Sequence, residues 1–323
     1  MQHRSLQAAE GLQARPGCEL RSVFGDAMAL ILLCLAVGWV LRSVGILSEQ
    51  RTQKALSWVI YVALPAMALL HIHGIEFTGE WLLAAAMPWV SVALAWLLFR
   101  SMASRYGWSR EKVGALVLVS GWGNTSFIGI PMVITYFGIE WISLVLVIDS
   151  LGSYLALSTA GIFLASRYSS SELGAGDMMK RIFGFPPLLA LLVALACNGL
   201  PRPEWIEQVL QPIAATLTPV AMIGVGATLQ WGAIFEHRQA IASGLAYRLA
   251  VAPAITLLIY KLAGFSIDGV SAIAIFETAM PPMVASSVVA IRYGLMPPLV
   301  AGMIGVGIPL SMVTLALWAR VLS

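Results

Sequence analysis

The chain has 323 residues, of which 59% are hydrophobic and only 11% are charged, whereas soluble globular domains carry about 25% charged residues. This composition excludes a water-soluble globular fold. The net charge is +3, but the basic residues lie in short stretches between long apolar runs, so we expect the lipid bilayer, and no nucleic acid, as a partner.

The first 22 residues are predicted to form a polar tail, because no apolar run precedes Val23. Each of the apolar runs that follow is long enough to cross the ~30 Å hydrocarbon layer as a helix. We therefore predict an all-α polytopic membrane protein with ten transmembrane helices. These helices cover residues 23–42, 53–74, 81–103, 111–138, 141–167, 181–200, 206–230, 239–262, 268–293 and 297–321.

Basic residues are divided unequally between the two sides of this arrangement. If the N-terminus is outside, twelve Lys and Arg residues face the cytoplasm and six lie on the other side. Positively charged loops stay in the cytoplasm, and an even number of helices returns the chain to its starting side. Both termini are therefore predicted to be extracytoplasmic.

Glycines and prolines that interrupt or end the apolar runs recur at similar spacing in the two halves of the chain. We divide the chain into a first five-helix repeat at 23–167, a cytoplasmic linker at 168–180 and a second five-helix repeat at 181–323. An odd number of helices in each half makes the second half enter the membrane from the opposite side, as in the inverted repeats of secondary transporters. The matching landmarks are Gly45 with Gly199, Pro65 with Pro219, and Gly138 with Gly294.

Two of the predicted helices contain residues that interrupt a helix. The fourth contains GWGNTSFIGIPM and the ninth contains FETAMPPMVASS; glycine weakens a helix, and proline removes an N–H donor. Half-helices that start at such breaks point free N–H groups into the membrane and attract anions such as carboxylates. The predicted break positions are Gly121, Gly123 and Pro131 in the fourth helix, Pro281 in the ninth, and Pro65 and Pro219 in the second and seventh.

Glu277 lies one turn before the ninth-helix break, where a charged side chain costs roughly 2.5 to 3.5 kcal/mol. It is a candidate proton carrier, or a Na⁺ ligand together with Asn124, Thr125 and Ser126. The alternative is that Glu277 only stabilises the kink through backbone hydrogen bonds.

Asp149 and Arg248 are two further charged residues inside predicted spans. They could form a salt bridge with each other, or Arg248 could snorkel to the interface. In the functional interpretation, Arg248 is a counter-ion for the substrate and Asp149 is a second ion- or proton-coupling site. The sequence leaves both interpretations open.

The broken helices resemble those of the auxin efflux carrier family of membrane transporters, in its prokaryotic branch. The resemblance extends over essentially the whole chain from Val23. It rests on Leu64-Pro65 in the second helix, on Asn124-Thr125, Gly129-Ile130-Pro131 and Tyr136 to Gly138 in the fourth, and on Glu277 to Pro281, Ala290 and Tyr293-Gly294 in the ninth.

This resemblance implies that helices 4 and 9 cross, similar to the fold of bile acid:sodium symporters. It implies a transport domain that moves against a scaffold domain, a homodimer, and a location in the bacterial cytoplasmic (inner) membrane. Plant members generally have proline where this chain has Gly123, and a long hydrophilic loop where it has a short linker. The substrate-binding residues that the resemblance implies are Gly123, Asn124, Thr125, Ser126, Pro281, Pro282, Met283 and Ser286.

The expected function is secondary active transport of a small organic anion, a mono- or dicarboxylate such as malate or malonate or an auxin-like acid, by elevator-type alternating access. Coupling to H⁺ or Na⁺ is expected, with no other metal and no cofactor. Two alternatives stay open: sodium-coupled uptake of a larger bile-acid-like amphipathic acid, and a receptor that transports nothing. We expect no enzyme, because Ser126, Ser286 and Ser287 have no buried histidine nearby in the sequence.

Overall fold

The computed structural model describes residues 16–71, 79–169, 184–197, 200–201 and 203–322. Gly199, the tail before residue 16 and most of the predicted 168–180 linker lie outside these described residues. Within them, the chain is helical apart from connections and one pair of bridged residues. The α-helices are α1 Pro16–Ser43, α2 Glu49–Trp58, α3 Leu64–His71, α4 Gly79–Tyr106, α5 Arg110–Gly121, α6 Ile130–Phe137, α7 Ile142–Val147, α8 Ile162–Tyr168, α9 Pro186–Ala196, α10 Glu204–Ala215, α11 Leu217–Gly226, α12 Trp231–Glu236, α13 Arg238–Ala246, α14 Ala252–Leu262, α15 Gly269–Thr278, α16 Val284–Arg292 and α17 Pro297–Leu322.

Wider π-helical turns join several of these helices into longer rods, and a short 3₁₀ turn at Ile139–Trp141 precedes α7. A π-turn leaves the backbone irregular without ending the helix, and such turns are frequent at functional sites. The π-turns are Val59–Ala63, Thr125–Gly129, Ile148–Tyr154, Leu157–Gly161 and Tyr247–Val251.

Six helical segments are long and apolar enough to cross a membrane: Glu49–Leu70, Glu80–Tyr106, Ile142–Tyr168, Glu204–Gly226, Arg238–Leu262 and Pro297–Leu322. Four shorter apolar helices occupy the other predicted spans, at Ala29–Ser43, Thr125–Phe137, Pro186–Ala196 and Gly269–Thr278. The all-α membrane class is confirmed by these segments.

Several boundaries differ from the predicted ones because proline suits the first turn of a helix, where its missing N–H leaves no hydrogen bond unmade. α9 begins at Pro186 rather than near 181. The described part of α1 starts at Pro16, before the predicted residue 23. Pro65 directly follows a π-turn as the second residue of α3. The interruption predicted at Pro219 lies earlier, at Thr216 between α10 and α11.

Two sets of helices pack closely within themselves, and contacts such as that of α1 with α6 join the two sets. In the first, α1 packs along α11, and α3 packs against α9 and α10. Glycines permit the closest approach there: a Cβ at Gly38 would lie 2.1 Å from the Ile223 carbonyl oxygen, and one at Gly226 would lie 2.1 Å from the Leu35 carbonyl oxygen. The second group contains α4 to α8 and α13 to α17, with α4 against α5 and α15.

Glycines with positive φ end helices at corresponding places in the two halves. Gly107 follows α4 and Gly264 follows α14, with φ of 63° and 79°. Gly138 follows α6 and Gly294 follows α16, with φ of 111° and 73°. Glycine adopts such left-handed backbone without steric cost, so these positions terminate their helices.

Candidate functional site

The first broken helix, made of α5 and α6 with the π-turn Thr125–Gly129, opens at Trp122 to Asn124, as expected from its glycines. The Asn124 side chain caps the resumed helix, because its Oδ1 accepts from the Phe127 amide at 3.1 Å. A side chain at Gly123 would make a tight contact here, since a Cβ would lie 3.0 Å from Nη2 of Arg248. Pro131 is accommodated as the second residue of α6 and does not itself end a helix.

The second broken helix, made of α15 and α16, opens between Thr278 and Val284. The predicted break at Pro281 therefore lies in the opening. Met283 is the N-cap of α16 but provides no side-chain cap. The Ser286 and Ser287 hydroxyls both donate to the Met283 carbonyl, at 3.1 and 2.8 Å.

The two breaks hydrogen-bond to each other. Gly123 and Pro282 form an antiparallel bridge, in which the Asn124 amide donates to the Pro281 carbonyl at 2.8 Å and the Met283 amide donates to the Trp122 carbonyl at 3.1 Å. Backbone polar groups inside a membrane must be satisfied within the protein. Each broken helix thus supplies backbone hydrogen-bond partners for groups that the break in the other helix left unpaired. The two openings meet at one point, which we call the crossing.

Arg248 stands at the C-terminal ends of α5 and α15. Its Nη1 donates to the Gly121 carbonyl at 3.0 Å, and its Nη2 donates to the Thr278 carbonyl. Helix C-termini carry partial negative charge and unsatisfied carbonyls, which a guanidinium complements. Arg248 is only 1% exposed, so the interpretation that it snorkels to the interface is wrong.

Glu277 lies against the π-turn of the first broken helix. A Cβ at Gly129 would lie 2.6 and 2.7 Å from the two carboxyl oxygens of Glu277. Glu277 and Asn124 are each 1% exposed. In the described part of the chain, neither carboxyl oxygen of Glu277 nor the amide nitrogen of Asn124 has a hydrogen-bond partner. Leaving buried polar atoms without hydrogen bonds is costly in free energy, so these three atoms are unusual.

Asp149 contacts the start of the same turn and itself lies within the π-turn Ile148–Tyr154. Its Oδ1 accepts from the hydroxyls of Thr125 and Ser126, both at 2.5 Å. The Thr125 hydroxyl is also 3.1 Å from that of Ser153. Two acidic side chains therefore flank the start of the resumed helix, and the hydroxyls that we predicted to bind substrate or Na⁺ already contact one of them.

Sequence reasoning missed several residues that hold the crossing. Ser91 donates to the Gly121 carbonyl at 3.1 Å and lies 3.3 Å from Nη1 of Arg248. The Tyr247 hydroxyl donates to the Ser91 carbonyl at 2.5 Å. Ser91 and Arg248 are 157 residues apart, the separation that also relates Gly107 to Gly264. The predicted internal repeat is therefore the sequence signal that could have pointed to Ser91.

Comparisons with known proteins agree with this architecture. A family profile described as "Membrane transport protein" matches residues 23–319. An uncharacterized transporter of Methanocaldococcus jannaschii is 27% identical over 309 residues, covering 92% of this chain and 98% of that protein. An uncharacterized transporter of Methanothermobacter thermautotrophicus is 27% identical over 308 residues with the same coverage. The chain therefore belongs to the membrane transport protein family, that of the auxin efflux carriers, and is a membrane transporter.

Proposed function

We propose that this protein is a secondary active transporter that moves a small organic anion through the crossing of its two broken helices. The observation that carries the proposal is the buried amide nitrogen of Asn124, which has no hydrogen-bond partner among the described residues and lies beside the point where the two helix openings pair. A buried amide N–H without a partner is suited to donate to a carboxylate oxygen.

The resumed helices add to this anion site. Their first N–H groups have no partners within their own helices, and the helix dipole favours negative charge at that end. Thr125 and Met283 mark the two starting points. A carboxylate held between them suits a mono- or dicarboxylate of the size of malate or malonate, with Gly123, Ser126, Pro281, Pro282 and Ser286 as the surrounding residues.

Coupling is proposed to use a proton on Glu277. A carboxylate with neither oxygen hydrogen-bonded in a buried site is stabilised by protonation. A Na⁺ ion at the helix C-termini would need the carbonyls of Gly121 and Thr278, but Arg248 already binds both. Asp149 is the second residue proposed to carry a coupling proton. The proton would pass between Asp149 and Glu277 along the π-turn Thr125–Gly129, which both carboxyl groups approach.

The transport cycle is proposed to be elevator-type alternating access. The crossing is buried, so substrate can reach it only if helices move. The group containing α4 to α8 and α13 to α17 would slide against the group containing α1, α3 and α9 to α11. The matched glycine pairs that end helices support the proposed ten helices in two inverted five-helix repeats, 23–167 and 181–323, joined by the 168–180 linker.

The same proposal places the protein in the bacterial inner membrane as a homodimer with both termini outside. This orientation follows from the unequal distribution of Lys and Arg residues. Cysteine accessibility at the exposed residues Ser48 and Glu204, in cells with intact and opened membranes, would report the sides of these two positions.

The test is uptake of radiolabelled C3 to C5 carboxylates into proteoliposomes, with proton and sodium gradients imposed separately. We expect one acid to accumulate when a proton gradient is imposed and not when a sodium gradient is imposed alone. Accumulation driven only by sodium would reject Glu277 protonation as the coupling step. The absence of flux with any acid, in folded protein, would reject small-anion transport and favour a larger amphipathic acid or a receptor.

A further inference from the structure

A second polar site lies away from the crossing, at one end of α4, α5 and α8. A cavity of about 520 Å³ opens there, and arginine and aromatic side chains form much of its lining. α4 contributes Trp96 and Arg100, the start of α5 contributes Arg110, and α8 contributes Arg167 and Tyr168. Nothing in the transport proposal uses this cavity.

The cavity has a strong excess of positive charge. Among the described residues, none that lines the cavity is acidic, and no carboxylate lies within salt-bridge distance of Arg100, Arg110 or Arg167. The Arg100 guanidinium lies 5.3 Å from the centre of the Trp96 ring. Arg110 Nε donates to the Arg167 carbonyl at 3.1 Å. Three guanidinium groups thus line one cavity, and no described acidic side chain pairs with any of them.

The position of the cavity indicates contact with lipid. α4 and α8 end two of the membrane-spanning segments, Glu80–Tyr106 and Ile142–Tyr168. The Trp96 indole donates to the Tyr168 hydroxyl at 3.0 Å, an arrangement of amphipathic rings typical of the membrane–water interface. Phe163, which also lines the cavity, is 45% exposed. One part of the site is therefore cationic and the adjoining part is apolar.

We propose that this cavity binds the headgroup of an anionic phospholipid. Guanidinium groups bind phosphate oxygens with paired, charge-assisted hydrogen bonds, and basic pockets between membrane helices recognise anionic headgroups. The phosphate would lie between Arg100 and Arg167, and an acyl chain would run along Phe163. A soluble anion would use the arginines but would have no use for the exposed aromatic surface beside them.

The full-length protein, purified in detergent, would be titrated with phosphatidylglycerol or phosphatidylcholine, and bound lipid would be counted by native mass spectrometry. We expect retention of phosphatidylglycerol in preference to phosphatidylcholine. Each arginine near a lipid surface contributes about fivefold in affinity, so the Arg100→Gln/Arg167→Gln double variant should bind phosphatidylglycerol roughly twenty-fold more weakly. The Arg100→Lys/Arg167→Lys variant should lose much less, because it keeps the charge.

Arg105→Gln is the matched control, since Arg105 lies in the last turn of α4 but does not line the cavity. Phosphatidylglycerol binding by this control should equal that of the unaltered protein. Three results would overturn the proposal: equal retention of both lipids, the same loss in Arg105→Gln as in the double variant, or full competition by inorganic phosphate or glycerophosphoglycerol. The last result would identify the cavity as a site for a soluble anion.

Discussion

The backbone amide of Asn124 donates to the carbonyl of Pro281 at 2.8 Å, so the openings of two helices far apart in the chain are hydrogen-bonded to each other. Proline leaves its own nitrogen without a proton, yet its carbonyl remains a strong acceptor. The amide of Asn124, freed by the first break, finds that acceptor. Displacing either helix opening would therefore leave backbone groups unpaired on the other.

Asn124→Ala should weaken substrate binding about tenfold or more while leaving the protein folded. The variant loses the amide nitrogen proposed to bind the carboxylate, a hydrogen bond to a charged group worth about tenfold or more in affinity. It also loses the helix cap, at a cost of about 1 kcal/mol. Asn124→Ser is the matched control for capping, since its hydroxyl can still accept from Phe127. Substrate affinity, measured by calorimetry on purified protein, should fall in both variants. Unaltered affinity in the serine variant would reject the amide as a ligand.

Glu277→Gln should keep the exchange of substrate across the membrane but lose its accumulation against a gradient. Glutamine has nearly the same shape as a protonated glutamate but cannot release a proton. We expect counterflow of labelled substrate to continue, while accumulation driven by a pH gradient falls to passive equilibration. Glu204→Gln, at the exposed start of α10, should behave like the unaltered protein. If Glu277→Gln still concentrates substrate with an unchanged response to pH, Glu277 is structural.

Gly129→Ala should displace the carboxyl group of Glu277, although Glu277 itself is not substituted. The added methyl group would lie 2.6 Å from a carboxyl oxygen of Glu277, so the carboxyl group or the π-turn has to shift. Transport should fall strongly, although alanine favours a helix over glycine by about 1 kcal/mol. Gly305→Ala is the matched control in α17, because its methyl group would meet Leu229 at an ordinary 3.7 Å. Equal uptake by both variants would contradict the close contact.

Arg248→Ala should destabilise the crossing. It removes a cation that binds the last carbonyls of α5 and α15, and each hydrogen bond to a charged group contributes about 1.5 to 3 kcal/mol. The free energy of unfolding should drop by about 3 kcal/mol or more, seen as a lower melting temperature in detergent. The melting temperature of Arg248→Lys should lie between those of Arg248→Ala and the unaltered protein, because an ammonium group lacks the planar fork that reaches both carbonyls. Arg238 is exposed, so Arg238→Ala should have the melting temperature of the unaltered protein. An equal drop in melting temperature for Arg238→Ala and Arg248→Ala would exclude a specific role for Arg248.

The sequence alone predicted that helices break in the segments around Gly123 and Pro281, because glycine and proline act on their own turn of backbone. It did not predict that Thr125 and Ser126 donate to Asp149, or that Glu277 lies over Gly129. Those contacts join residues on different helices. Their existence depends on how the helices are rotated and packed, which local composition does not specify.

Arg248 illustrates the same division between sequence and tertiary structure. Its charge within an apolar run was enough to mark it as unusual, because a cation inside a membrane needs partners. Its partners are carbonyls at the ends of two other helices, and carbonyls are present at every residue, so no side-chain pattern could identify them. Composition and the spacing of apolar runs determined the membrane class and the helices. Only the packing of those helices decided which buried groups are paired and which, in Asn124 and Glu277, have no hydrogen-bond partner among the described residues.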